Sequence, residues 1–279
     1  MKLVTALALA TTVVALTAGS VSANGSPYSP GLVYGWPGVA PRDGAHLVSF
    51  SMPKSTIVAA VRARDGRVLR QRVVRGSFGV PLVAYDGTSG GLSGDGRTLV
   101  LGSYGPLPGQ QGKTRFLLLS TRTLAPRRVL VLGGSWSFDA VSPDGRRLYL
   151  TEHLRAGDDP LYRVRPYDVA SGRVLGAIVD RLEGERDMGG VPIARATSND
   201  GRWAYTLYAR RGHEPFVHAL DTVRTQAYCV DLPLELGYDR QWALRLRLDP
   251  GGQVLAVTNG RADVATVSTR SWKVERTKR

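Results

Sequence analysis

Acidic and histidine side chains gather in the middle of the chain, in three segments whose composition could support a binding site. Residues 152–160 read Glu-His-Leu-Arg-Ala-Gly-Asp-Asp-Pro, and residues 180–190 carry four further carboxylates. A His-Glu pair follows at 213–214. Crowded carboxylates suit a hard cation such as Ca²⁺, which takes six to eight oxygen ligands, or a cationic partner. The residues predicted to bind a ligand or partner are Glu152, His153, Asp158, Asp159, Asp187, His213 and Glu214.

The alternative interpretation is that these segments are ordinary solvated loops, balanced by Arg155, Arg181 and Arg186. No His-Glu-x-x-His motif, EF-hand loop, phosphate-binding loop or Gly-x-Ser-x-Gly motif occurs. The single cysteine, Cys229, lies in an apolar strand pattern and is interpreted as a buried small hydrophobic residue. We therefore predict no catalytic residue, no metal and no cofactor.

A strand, a tight turn and a second strand recur along the chain and must position these loops. Residues 140–150 show the pattern best, because Pro143-Asp144-Gly145 has turn chemistry and residues 147–150 then alternate between polar and apolar. The same turn ends at a glycine at intervals of about 50 residues, at Gly44, Gly96, Gly145, Gly201 and Gly252.

A second turn follows each copy, as in residues 167–178, so each repeat carries four short strands. Ser142-Pro-Asp-Gly145 resembles the WD40-like repeats of the TolB type, and Asp168-Val-Ala-Ser-Gly-Arg-Val174 is similar to YVTN-type repeats. The resemblance implies an all-β fold, a β-propeller that serves as a scaffold for protein or ligand binding, with some members enzymatic. About 50 residues per repeat predicts five four-stranded blades. A β-sandwich is the alternative fold.

Residues 1–23 are predicted to be a secretory signal peptide, with Lys2, an apolar run and Val21-Ser-Ala23 as cleavage site. An uncleaved anchor is the alternative. Residues 24–36 form an N-terminal segment whose residues 32–36 supply either the innermost strand of the first blade or a ring-closing strand. Residues 37–279 form a single β-propeller domain. No later apolar run reaches membrane length, so we expect a protein that is secreted or associated with the cell envelope. We also expect it to be a monomer.

The formal net charge of +14 comes from 37 Lys and Arg against 23 Asp and Glu. High-GC codon bias explains such an excess of arginine without any function, whereas a basic surface would bind anionic polymers. The arginines are scattered along the sequence and no nucleic-acid motif accompanies them. We therefore expect weak polyanion binding at most, and no specific nucleic-acid partner.

Propeller ligands usually bind on the face opposite the Asp-Gly turns, here called the loop face. The leading hypothesis is a secreted non-catalytic scaffold that binds a protein or ligand there, outside the cell. The alternatives are an extracellular hydrolase, lyase or lactonase that uses loop-face acids and histidines, and a cell-surface polyanion binder. Asp139 and Arg195 each lie six residues before their turn glycine, so they are predicted to form an ion pair between the third and fourth repeats.

Overall fold

A computed structural model describes residues 29–36, 38–40, 44–157 and 159–277. These residues form five antiparallel meanders, which follow one another along the chain, and one small two-stranded sheet. The predicted signal peptide and Asp158 lie outside the described residues. Within the described ranges, no helix has the length and apolar character needed to cross a membrane. The predicted all-β propeller fold is confirmed, and its repeats are these meanders.

The strands are given meander by meander. The first contains β2 (Ala45–Met52), β3 (Ser55–Arg62) and β4 (Val68–Arg75), after β1 (Leu32–Val33), which pairs with β5 (Val80–Pro81). The second contains β6 (Thr98–Gly102), β7 (Lys113–Ser120) and β8 (Pro126–Gly133). The third contains β9 (Trp136–Val141), β10 (Arg147–Arg155), β11 (Leu161–Asp168), β12 (Arg173–Val174) and β13 (Met188–Gly189). The fourth contains β14 (Val191–Thr197), β15 (Trp203–Ala209), β16 (Phe216–Asp221) and β17 (Gln226–Asp231). The helical turn α1 (Tyr238–Gln241) precedes the fifth, which contains β18 (Leu244–Leu248), β19 (Val254–Asn259), β20 (Ala262–Ser268) and β21 (Val274–Arg276).

The first two meanders have three regular strands each, one fewer than predicted. Isolated bridges stand in place of their innermost strands, Val39 with Leu47 and Leu92 with Leu99. Beside each bridge, the backbone approaches so closely that only glycine fits. A Cβ on Gly91, whose φ is +96°, would lie 2.3 Å from the Val100 carbonyl oxygen. Backbone in this conformation cannot continue a regular ladder.

The segment 32–40 joins the first two meanders. β1 pairs with β5 ahead of the second meander, and the Gly35 amide then donates to the Ser49 carbonyl of β2. These residues therefore contact both of the first two meanders, and their place in the first blade or in ring closure stays a prediction. Among the described residues, no strand pairing joins the fifth meander to the first. The number of blades in a closed ring therefore stays a prediction.

The first turn of each repeat ends at a glycine of one shared backbone conformation. These glycines have φ values between +68° and +73°, a region that is strained for other residues. In the three middle repeats a serine two residues before the aspartate completes the turn. In the third, the Ser142 hydroxyl lies 2.6 Å from Asp144 Oδ1 and accepts the Arg147 amide at 2.9 Å. These hydrogen bonds hold consecutive strands in register.

The second turn of each repeat also needs a left-handed residue, whose amide donates to the carbonyl four residues earlier. Gly66 and Gly172 occupy this position in the first and third meanders, whereas Leu124, Thr225 and Trp272 occupy it in the others. Tertiary contacts hold the three non-glycine residues there. The Leu124 side chain is fully buried, and the Trp272 ring stacks on Tyr228 with centroids 4.6 Å apart.

The apolar core lies between consecutive meanders, in interfaces here called seams. In each seam, one face of a sheet packs against the next sheet. Each of four buried clusters spans one seam and contains aliphatic or aromatic residues from both sides. Pairs that represent the four seams, from first to last, are Leu47 with Leu101, Leu118 with Leu150, Tyr149 with Leu220 and Leu207 with Leu255.

Replacement of Gly145 by Val tests whether the Asp-Gly turn is structural. Gly145 has a φ of +69°, and a Cβ there would lie 2.6 Å from Thr98 Oγ1 of the neighbouring meander. We expect a loss of about 1–3 kcal/mol from backbone strain alone, with a further cost from the contact. Gly96→Val is the matched control, because its φ is +69° and its Cβ would meet nothing within 4 Å. Equal urea midpoints for wild type and Gly145→Val would contradict the assignment.

Candidate binding site on the loop face

Three of the predicted loop-face carboxylates, those of Glu152, Asp159 and Asp187, each contact a different arginine of the third meander. Glu152 Oε2 lies 3.2 Å from Arg165 Nη1, and Asp187 Oδ1 lies 2.9 Å from Arg163 Nε. Asp159 forms an ion pair with Arg155. The acids are therefore neutralised one by one. In the described part of the chain, no group of three or more His, Cys, Asp or Glu is placed to hold a metal ion.

His213 and Glu214 lie in the turn between β15 and β16 of the fourth meander. Their backbone serves the fold, because the His213 carbonyl accepts Gln241 Nε2 at 2.8 Å and the Glu214 carbonyl accepts Arg210 Nε at 2.7 Å. The His213 side chain is exposed. Neither residue belongs to the pocket described below, which contains one of the predicted residues, His153. The assignment of the full set to one site stays a prediction.

His153 is buried at the loop-face end of β10, with 7% of its surface exposed. Its Nε2 lies 2.8 Å from the Ser137 hydroxyl on the neighbouring strand β9. Burial penalises the charged imidazolium and lowers the pKa of His153 to about 4. The ring is therefore neutral at pH 7, and it can exchange a hydrogen bond with Ser137 as either donor or acceptor.

A pocket of about 240 Å³ opens on the loop face between the second and third meanders, here called the loop-face pocket. Its inner wall is aromatic and mostly buried, formed by Phe116, Trp136 and Phe138. Its rim carries Tyr104 and Leu107, which are 58% and 47% exposed. Ser103, Ser135, Ser137 and His153 add polar groups to the lining. An apolar wall with a few polar groups is typical of a binding pocket.

Hydrogen bonds hold the tryptophan of this wall in place. The Trp136 indole donates from Nε1 to the Gly133 carbonyl at 2.8 Å, and its amide donates to Thr114 Oγ1. The Arg165 guanidinium lies 5.8 Å from the Trp136 ring centroid, within cation–π range, and Glu152 holds that guanidinium. Glu152, predicted as a direct ligand contact, therefore supports one wall of the loop-face pocket through Arg165.

The predicted ion pair between the third and fourth meanders is confirmed. Arg195 Nη1 lies 2.6 Å from Asp139 Oδ1, and Nη2 donates to the Asp139 carbonyl at 2.8 Å. Both side chains are buried, with 4% and 6% of their surface exposed. The Arg195 amide also donates to Asp86 Oδ2 at 3.0 Å. One arginine thus joins two meanders and the segment that precedes the second.

The ion pair lies at the inner end of a cavity of about 690 Å³ among the innermost segments of the first four meanders. The Asp-Gly turns of the second and fourth meanders line its mouth, with Asp95 and Ser198 among the lining residues. The segment 83–88 borders the cavity through Val83 and Thr88, and its Tyr85 amide donates to the Pro192 carbonyl of β14. Sequence reasoning missed this cavity, whose main signal is that all residues of 88–94 except Leu92 are small.

Cys229, predicted to be a buried small hydrophobic residue, is half-buried. Burial first, and then the nearby carboxylates of Asp180 and Glu183, raise the pKa of its thiol. Its sulfur lies 3.7 Å from the Met188 sulfur, in a cluster with Tyr162, Tyr208 and Phe216. A thiol that stays protonated is a poor nucleophile, so this residue packs rather than reacts.

Solved propeller structures resemble the chain at low sequence identity. The beta-propeller domain of Cps50 (Swd1) from Myceliophteria thermophila is 13% identical, covers 91% of this chain and 71% of its own, and has a TM-score of 0.46. Hydrazine synthase of Kuenenia stuttgartiensis is 15% identical, with coverages of 90% and 80% and a TM-score of 0.44. TolB from Acinetobacter baumannii is 11% identical, with a TM-score of 0.37; it covers 83% of this chain, which spans 56% of TolB.

No family model and no curated protein matches the chain. The predicted resemblance to TolB-type, WD40-like propellers is confirmed at the level of fold. Likenesses this distant carry no information about activity or ligand. Function has to be argued from the site itself.

The buried imidazole makes stability depend on pH. Because the pKa of His153 falls from 6.5 to about 4 on folding, the unfolded chain binds the proton more tightly, and stability decreases as the pH falls from 6.5 towards 4. Replacement of His153 by Gln should make the urea midpoint of unfolding depend less steeply on pH over this interval. The exposed His213→Gln is the control and should leave the slope unchanged. An equal pH slope in wild type and His153→Gln would contradict the burial of a neutral ring.

Proposed function

We propose that the protein is an exported, non-catalytic β-propeller scaffold that binds a partner through its loop face. The single observation that carries this proposal is the loop-face pocket, with a rigid aromatic wall and an exposed Tyr104 and Leu107 at its rim. Large exposed apolar side chains around a pocket are typical of a contact surface. Export rests on the signal-peptide pattern of residues 1–23, and the exported chain should begin at Asn24 by N-terminal sequencing.

The size of the pocket limits what it can hold. At about 240 Å³ it is smaller than the pockets of about 300–1,000 Å³ that take whole drug-sized molecules. It suits one aromatic or aliphatic side chain of a protein partner. The ion pairs of Glu152, Asp159 and Asp187 supply charged groups to the surrounding loop face, and binding interfaces usually have such a polar rim around an apolar centre.

Removal of the rim side chains tests the proposal. Tyr104→Ala with Leu107→Ala should lower the affinity for an envelope partner captured by the wild-type protein by at least roughly tenfold, as expected for interface anchors. Val129→Ala with Val131→Ala is the matched control, because these side chains are 52% and 47% exposed on β8 and do not line the pocket. Equal affinity of the rim variant and wild type would place the contact surface elsewhere.

A hydrolase is the second candidate, and one contact favours it. Ser137 Oγ lies 2.8 Å from His153 Nε2, and both residues line the loop-face pocket, as a nucleophile and its base would. The lowered pKa of His153 argues for the scaffold, since a general base works best with a pKa near the working pH. Covalent labelling by a fluorophosphonate, abolished in Ser137→Ala and His153→Gln, would establish the hydrolase; the scaffold predicts no labelling.

A further inference from the structure

Four arginines from three separate segments of the sequence surround one turn of the second meander. The turn runs from Thr121 to Leu124 and joins β7 to β8. Arg70 and Arg72 reach it from the outermost strand of the first meander. Arg70 Nε donates to the Thr121 carbonyl at 3.1 Å, and Arg72 Nε donates to the Thr123 carbonyl at 3.4 Å.

The turn itself carries Arg122, which is exposed and lies in sequence between Thr121 and Thr123, whose carbonyls accept Arg70 and Arg72. Arg97 lies on the other side of the turn, because its carbonyl accepts the Thr121 amide at 3.1 Å. Arg70, Arg72, Arg97 and Arg122 are called the arginine cluster below. Three of the four are exposed and Arg70 is half-buried.

The cluster lacks the acid that the corresponding turn uses in the fourth meander. There the turn begins with Asp221, which accepts Arg202 at 2.6 Å, and Arg202 is the equivalent of Arg97. In the second meander the equivalent of Asp221 is Ser120, so Arg97 meets no carboxylate at that position. Across the described residues, none of the four arginines forms an ion pair. Asp95, two residues from Arg97, uses Oδ1 to bind Ser93 and the Arg97 amide.

Arg70 and Arg72 are each anchored through Nε, the guanidinium nitrogen nearest to the backbone. Each uses Nε on the protein, so within the described ranges both Nη groups of each guanidinium are left to bind an external acceptor. Anchored guanidinium groups lose less side-chain entropy on binding, and their planar forks match the oxygens of phosphate. Repulsion among four uncompensated cations is relieved when a polyanion neutralises them.

We infer that the arginine cluster binds a linear phosphate-bearing anionic polymer along the outer seam between the first two meanders. The polymer is recognised by its backbone charge. Single-stranded nucleic acid is disfavoured because base stacking needs exposed aromatic rings. The exposed Trp36 and Phe50 do not serve here: Trp36 stacks on His46, and both His46 and Phe50 lie on the face of β2 opposite the one shared with Arg70 and Arg72.

The experiment titrates the purified protein with long-chain inorganic polyphosphate at several salt concentrations, with single-stranded DNA as a second arm. Wild type should bind polyphosphate with a linear loss of log affinity against log salt. Arg70→Gln with Arg72→Gln should lower affinity by at least roughly tenfold and make the salt slope shallower by about one for each phosphate that the variant no longer neutralises. Arg70→Lys with Arg72→Lys should give an intermediate affinity, because charge remains and the fork is removed.

Arg270→Gln is the matched control for Arg122→Gln. Arg270 is exposed and holds the same place, two residues before the left-handed residue, in the corresponding turn of the fifth meander. Arg122→Gln should weaken binding at least severalfold, and Arg270→Gln should leave affinity within about twofold. Since Arg122 is an exposed turn residue, this pair decides the question even if the Arg70 and Arg72 variants have a lower thermal midpoint. Equal losses in the two variants, or no salt-dependent binding, would overturn the inference. Tighter binding of DNA than of polyphosphate would replace it by a nucleic-acid surface.

Discussion

The buried ion pair between Asp139 and Arg195 is the interaction on which the centre of the molecule depends. A guanidinium that is 4% exposed must be compensated, and Arg195 finds its partners on β9, on β15 and, through its amide, at Asp86. A buried ion pair adds little net stability compared with apolar packing, but removal of one partner leaves an uncompensated buried charge at a cost of about 3–5 kcal/mol. The pair therefore selects one arrangement of the third and fourth meanders, and it places the segment 83–88 beside the central cavity.

Around that centre, the repeats differ in how their side chains are used at three places: the Asp-Gly turns, the loop face and the outer seam. The Asp-Gly turns use their polar side chains on their own backbone, as Ser142 and Asp144 do, so these groups are committed to the fold. The loop face keeps an apolar pocket with anchored aromatic walls. The outer seam between the first two meanders keeps guanidinium groups without carboxylate partners. Polar side chains of the turns bind their own turn, and charged side chains of the loop face pair within their own sheet. The guanidinium groups of the outer seam are left for a partner outside the protein.

The acidic loops of the third meander show why local charge density is a poor guide to a site. Strands of nine and eight residues with alternating faces place arginines of β10 and β11 beside the acids, as with Glu152 and Arg165. An exposed ion pair contributes at most about 1 kcal/mol and needs no ligand to be stable. His153 behaves differently because its own side chain is buried, and burial makes its ring neutral.

The sequence by itself determined the repeats, their turn glycines, the strand alternation and the pairing of Asp139 with Arg195, because turn chemistry and period-2 burial are local rules that recur in every repeat. It also identified His153 as a residue of the loop face. Only the tertiary structure decided that Glu152 meets Arg165, that Phe116 and Trp136 of different meanders share a pocket, and that Arg70 and Arg122 meet at one turn. The first contact lies within one sheet and depends on strand register, whereas the other two cross sheets, with partners up to about 50 residues apart, and depend on how two sheets stack in a seam. Stacking is set by the shapes of whole buried faces, which no local pattern encodes.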